Sequence, residues 1–242
     1  MICFIPTKNR FKTKTYKLFE KASIEVLHFI EPKEFEIYNV PNKINIGEND
    51  KGISYVRNFM LDYAKKNNYE WIIMCDDDII SFYEYKNEKN IKTDASLWHK
   101  ILDKAKKLPF ELYGINNKQF IWTAKKNYTI NKASVEACIL MNTSKIDWNY
   151  SEHTKEDKDF ALKSIKYGYG IVKFLKIGFS TPTVGSNKGG LHEQYKNKQD
   201  YKWANKMSKK WHPFAKLYKT DKKIDVRIDF KKFALSLNKK IV

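Results

Sequence analysis

Short apolar runs bounded by polar loops alternate along this chain with stretches of helical period. Residues 2–5 are an apolar run closed by Pro6, which predicts a buried first strand opening into the polar loop Thr7 to Arg10. Residues 24–30 predict a second strand, and Glu31-Pro32 begins a helix-compatible stretch with proline in its first turn. After Gly52, the residues Ile53, Val56, Met60, Tyr63 and Ala64 share one helical face up to Asn67-Asn68. Residues 70–75 read as a strand, and Asp76, Asp77 and Asp78 follow it at once. Further strands are expected at 118–125 and 134–142, with 128–132 connecting them. A helix is expected from Glu156 to Tyr167 with Gly168 as its stop, then a strand at 170–177. The glycine-rich loop Gly185 to Gly190 comes next, and a basic, helix-like tail carries Trp203, Trp211 and Tyr218.

Strand, helix, strand, helix over the first third of the chain predicts an α/β fold, a mixed central sheet flanked by helices. In such sheets ligands bind beyond the carboxyl ends of the strands. That is where the three aspartates fall.

Composition narrows the class. At 242 residues with 42% hydrophobic content, the chain is long enough to bury a core and far from a disordered composition. One domain is the default. No stretch approaches the roughly 20 apolar residues of a membrane span, and the start lacks the basic flank of a signal peptide, so a soluble, cytoplasmic protein is expected. Cys3, Cys75 and Cys138 sit in apolar segments without a CxxC pair, which reads as reduced core residues. The formal charge is +18, and all but three of the 46 basic residues are lysine. Part of this reflects the lysine, asparagine and isoleucine bias of an AT-rich genome. The remaining field still attracts polyanions, so nucleic acid is a plausible partner.

Three adjacent acids behind a buried strand repel one another and lose hydration, a cost that a cation or a hydrogen-bonding ligand offsets. Hard carboxylate oxygens suit Mg²⁺ or Mn²⁺. A second acidic cluster, Glu156, Asp157 and Asp159, opens a helix; it either serves the helix dipole or supplies a general base opposite a metal-bound leaving group. Backbone N–H groups of Gly185 to Gly190, with Lys188, could approach a diphosphate. His192 is either an imidazole ligand to the same metal or a surface histidine.

In their order, the blocks IPTKNR, EPKEFEIY, GISYVRNF, CDDDIISF, NKQFIWTA, CILMNT, KEDKDFALK and TVGSNKGGL resemble the TET-associated glycosyltransferases. These are DNA-modifying enzymes of GT-A fold, found mainly in phages and related to the glucosyltransferase that makes base J. The resemblance spans roughly residues 1–200 as one GT-A domain, leaving 201–242 as a basic aromatic extension packed on it. It implies transfer of a sugar, with glucose expected, from a UDP-sugar to the hydroxymethyl group of 5-hydroxymethylcytosine or 5-hydroxymethyluracil in DNA. It also implies that Asp76 and Asp77 lie against the sugar nucleotide, with Pro6, Thr7, Arg10, Arg57 and Lys188 facing the nucleotide. Asp78 would hold the metal, with His192 as a second ligand, and Asp157, or Glu156 beside it, would act at the acceptor. No protein partner is implied, and no fused oxygenase is present in the sequence.

Two other readings use the same residues: a GT-A enzyme acting on protein or polysaccharide, and a metal-dependent nuclease or nucleotidyltransferase. The tail interleaves Lys202, Lys206, Lys209 and Lys210 with Trp203 and Trp211, a mixture that either pairs phosphates and stacks bases or packs its aromatics on the domain.

Overall fold

The computed structural model describes residues 1–152, 155–182, 199–219 and 224–242. The first strand, β1 (Ile2–Thr7), is buried along its whole length, as a central strand covered on both faces requires. Its side chains alternate: Ile2 and Phe4 enter one core cluster, Cys3 and Ile5 the other. The chain continues through α1 (Tyr16–Glu20), β2 (Val26–Ile30), β3 (Lys43–Asn45), α2 (Ile53–Lys66) and β4 (Trp71–Cys75). A hairpin β5 (Ser81–Lys86) and β6 (Lys89–Thr93) follows, then α3 (Leu97–Ala105), β7 (Leu112–Asn117), α4 (Lys118–Ile121), β8 (Tyr128–Ile130) and β9 (Cys138–Asn142). The remainder is α5 (Glu156–Tyr167), β10 (Ile171–Ser180), α6 (Gln199–Lys210), β11 (Ala215–Lys219), β12 (Ile224–Ile228) and α7 (Phe230–Ser236).

Ten strands form one mixed sheet in the order β3-β2-β1-β4-β9-β7-β10-β5-β6, with β8 beside β10. β1 pairs in parallel with β2 and β4, whereas β9 runs antiparallel to β4 and β7. One face is covered by α2 and α5 through Met60, Phe160 and Leu162, and the other by α1 and α3 through Phe19, Trp98 and Ile101. Met207, Trp211, Val226 and Phe233 from the last 40 residues share the core of the α2 and α5 face. The three cysteines are free and buried. Among the described residues no helix is long and apolar enough to cross a membrane.

Several elements differ from the sequence reading. Residues 118–121 are helix where a strand was expected: Asn117 caps the turn by accepting from the Gln119 N–H, and Ile121 alone is buried while Phe120 and Trp122 are exposed. The preceding segment, β7, is the strand. Residues 128–130, expected as a connection, pair with β10 as β8. Gly168 does end α5, but not through a left-handed conformation; a Cβ there would lie 2.0 Å from Glu111 Oε1. That carboxylate accepts from Ser164 Oγ, Tyr169 N and Gly170 N, joining α5 to β10.

Candidate active site

From β1 the chain steps to β2 and β3 on one side and, through α2, to β4 on the other, so the topological switch point, the crevice where such sheets bind ligands, falls beyond the carboxyl ends of β1 and β4. Thr7 and the loop to Arg10 leave one strand at this point, and Asp76 to Asp78 leave the other. The three aspartates take different directions. Asp77 turns inward, 6% exposed, with its carboxylate on Arg10 Nη1 and its carbonyl accepting from Thr13 Oγ1 at 2.5 Å. Burial raises its pKa to about 7 against the pull of Arg10. Asp78 stays more open, its Oδ2 3.2 Å from the same Arg10 Nη1. Asp76 accepts from Arg57 Nη2 at 3.1 Å.

Arg57, on the second turn of α2, is 5% exposed. Its second nitrogen, Nη1, lies 3.0 Å from Glu156 Oε1 at the start of α5, and its guanidinium sits over the Tyr150 ring, 5.5 Å from the centroid. One buried guanidinium therefore joins the acids after β4 to the acids that open α5. Glu156 is itself buried, and desolvation lifts its carboxyl above the usual range although Arg57 opposes this. Asp157, the next residue, is half-buried and hydrogen-bonds Glu136, just before β9, while the charge of Lys173 of β10 acts on both acids from farther off. Burial raises Glu136, and its hydrogen bond and repulsion with Asp157 raise it further; burial lowers the Lys173 amine against the attraction of both acids. Lys173 pairs in register with Gly114, and a Cβ on Gly114 would lie 2.3 Å from Val135 Cγ1. The missing side chain lets the segment leading to Glu136 cross β7 close to Lys173.

Neither Glu136 nor Lys173 emerged from the sequence. The available signal was a lysine within an otherwise buried central strand, 171–174, where an unpaired charge is costly. Pro6 and Thr7 lie buried at the end of β1, with no described partner for Thr7 Oγ1. Lys188 and His192 lie outside the described residues. Among the described residues no three His, Cys, Asp or Glu side chains converge as a metal ligand set. In the tail, Lys206 Nζ lies 3.1 Å from Glu152, and Lys210 Nζ lies 2.9 Å from Glu152 and 2.6 Å from Asp159. Trp211 is 8% exposed and donates Nε1–H to Asp159 Oδ1 at 2.8 Å. Lys202 and Lys206 stack near the Trp203 ring, and Lys209 is exposed.

A mixed central sheet flanked by helices, with a run of acids at the carboxyl end of the parallel strand β4, is GT-A architecture. A family model described as TET-Associated Glycosyltransferase matches residues 1–190, and the chain belongs to that family. Among solved structures it is similar to glucosyl-3-phosphoglycerate synthase from Mycobacterium tuberculosis, crystallised with Mn²⁺, UDP and glucosyl-3-phosphoglycerate. The TM-score is 0.52 at 9% identity, over 95% of this chain and 90% of that one. A197 from STIV aligns at TM-score 0.46 and 13% identity, over 74% of this chain and 84% of that one. No curated protein matches the chain.

Proposed function

We propose that this glycosyltransferase moves a sugar from a UDP-sugar to the hydroxymethyl group of a modified pyrimidine in DNA, with inversion at the anomeric carbon. The observation that carries this reading is the Arg57 bridge, 3.1 Å to Asp76 and 3.0 Å to Glu156, which brings a donor-side and an acceptor-side acid to one crevice. Among the described residues the ion pairs of Asp76, Asp77, Asp78 and Glu156 are with Arg10 and Arg57, so the acids there outnumber their described cations. A hard cation held by one or two carboxylates and completed by substrate phosphates fits that surplus. Asp78, the most open of the acids Arg10 contacts, would hold it together with the donor's diphosphate; when bound, the ion supplies charge neutralisation to the departing diphosphate. The Mn²⁺ and UDP of the structural neighbour are in keeping with this donor site.

Of the two acids that open α5, Asp157 is the better base, because Glu156 is buried in its ion pair while Asp157 is half-open. Asp157 takes the proton of the acceptor hydroxyl as its oxygen attacks the anomeric carbon. The bond to the diphosphate oxygen breaks, and UDP leaves with the electron pair. Glu136 and Lys173 position Asp157 from behind. A single displacement of this kind gives a β-linked product from an α-linked donor.

Asp157→Asn tests the assignment: transfer should fall about 10²–10⁴-fold with UDP binding nearly unchanged, as calorimetry and product assays would read. An α-linked product by NMR, or a dead Glu156→Gln beside an active Asp157→Asn, would refute it. An enzyme acting on polysaccharide would show little affinity for DNA at moderate salt.

A further inference from the structure

Beside Asp157 a cleft of about 360 Å³ runs between residues 132–134 and the β11–β12 hairpin. Its walls include Lys132, Ser134, Lys158, Tyr218 and Arg227. Lys158 directly follows Asp157, and Ser134 lies two residues before Glu136, so two of the lining residues neighbour the proposed acceptor base and its partner along the chain. We infer that this cleft holds the phosphate backbone of the acceptor strand, an inference that rests on the DNA reading above.

The hairpin wall is fixed in place. Asp225 takes Lys155 at 3.0 Å and Lys158 at 3.1 Å, Lys158 also donates to the Val226 carbonyl at 3.1 Å, and Val226 itself enters the core. Lys158 is thereby committed within the chain. Lys132 and Arg227 are not: both are exposed, on opposite walls, and no described acidic side chain pairs with either. The Arg227 guanidinium lies over Tyr218, its Cζ 4.9 Å from the ring centroid, a contact that restricts the side chain. A pre-oriented guanidinium is suited to bidentate contact with phosphate oxygens, which an ammonium cannot make.

Composition sharpens the point. Arginine occurs only three times beside the many lysines, and Arg10 and Arg57 both make forked or bridging contacts in the acidic crevice. The third, Arg227, makes none with a described acid. Two cations on facing walls of an open cleft suit a polyanion passing through. The α6 lysines are poorer candidates, since Lys206 and Lys210 already neutralise Glu152 and Asp159.

The test is binding of the full chain to a fluorescent hydroxymethylated oligonucleotide across a salt series, for wild type, Arg227→Ala, Arg227→Lys and Lys132→Ala/Arg227→Ala. The double variant should bind about tenfold more weakly, and its slope of log affinity against log salt should flatten by about 1.5, at ~0.7–0.9 per phosphate contact. Arg227→Lys should recover part of the affinity, and UDP binding should stay at the wild-type value. A double variant with wild-type affinity and slope would overturn the cleft while leaving the DNA acceptor standing. A wild type without salt-dependent binding would overturn the acceptor reading and the cleft with it. Competition by inorganic phosphate or by polyglutamate as effective as that by unlabelled oligonucleotide would reduce the cleft to a general anion site and refute the strand assignment.

Discussion

Arg57 holds two carboxylates that would otherwise be desolvated without a counter-charge. Replacing it by methionine should cost about 3–5 kcal/mol of stability, the range for breaking one side of a buried ion pair, and urea unfolding would read the loss. Loss below 1 kcal/mol would mean that water or a shifted proton already satisfies Asp76 and Glu156. Both acidic clusters were legible in the sequence because acids behind an apolar strand or at a helix start are locally conspicuous. Their connection was not, since it depends on α2 and α5 lying on the same face of the sheet. For the same reason Glu136 and Lys173 stayed hidden: their approach needs Gly114 in a strand that the apolar pattern at 118–125 displaced from view. Alanine in place of Lys173 should lower transfer with little change in UDP affinity, and Lys173→Arg should restore part of it. A Lys173→Ala enzyme with an unaltered pH–rate profile would remove Lys173 from the account.

At the scale of elements, α5 gathers the contacts of the proposed acceptor side. Its first turn carries Glu156 and Asp157, its lysines hold the hairpin through Asp225, and its Asp159 receives α6 and Trp211. Burial pushes Asp159 up, but the hydrogen bonds from Lys210 and Trp211 and the charge of Lys163 outweigh it and hold the carboxyl below its ordinary value. Asp225 is likewise held down by Lys158 and Lys155 despite burial. A carboxyl depressed on folding contributes stability above its unfolded pKa of about 3.9 and loses it as pH falls through the folded value. The docking of residues 199–236 should therefore be at full strength above about pH 5 and loosen in acid. Proteolysis within that segment should rise below about pH 4 while the sheet keeps its circular dichroism. Simultaneous loss of both signals would mean that the segment and the sheet melt as one unit. The sequence foresaw α6 as a basic helix but not the strands after it, because Trp211 and Tyr218 gave an aromatic pattern without a register.

For the whole molecule, the parallel part of the sheet and the site at its carboxyl edge followed directly from the apolar runs at 2–5 and 70–75. In the other half β9 followed from its apolar run, whereas β5 to β8 did not: β7 and β8 pair with β10 far along the chain, and β6 is polar and exposed. On the proposed function, a donor diphosphate would complete the acidic crevice and DNA would meet the basic exterior. The direct measurement is mass spectrometry of nucleosides after incubating hydroxymethylcytosine and hydroxymethyluracil DNA with a panel of UDP-sugars, with and without EDTA. A hexose added to one of the two bases is expected, reduced on the order of 10³-fold by EDTA or by Asp78→Asn if leaving-group stabilisation is worth about 4 kcal/mol. Unmodified nucleosides with every donor, alongside transfer to a protein or polysaccharide acceptor, would contradict the DNA assignment; full turnover in EDTA would contradict the role of Asp78.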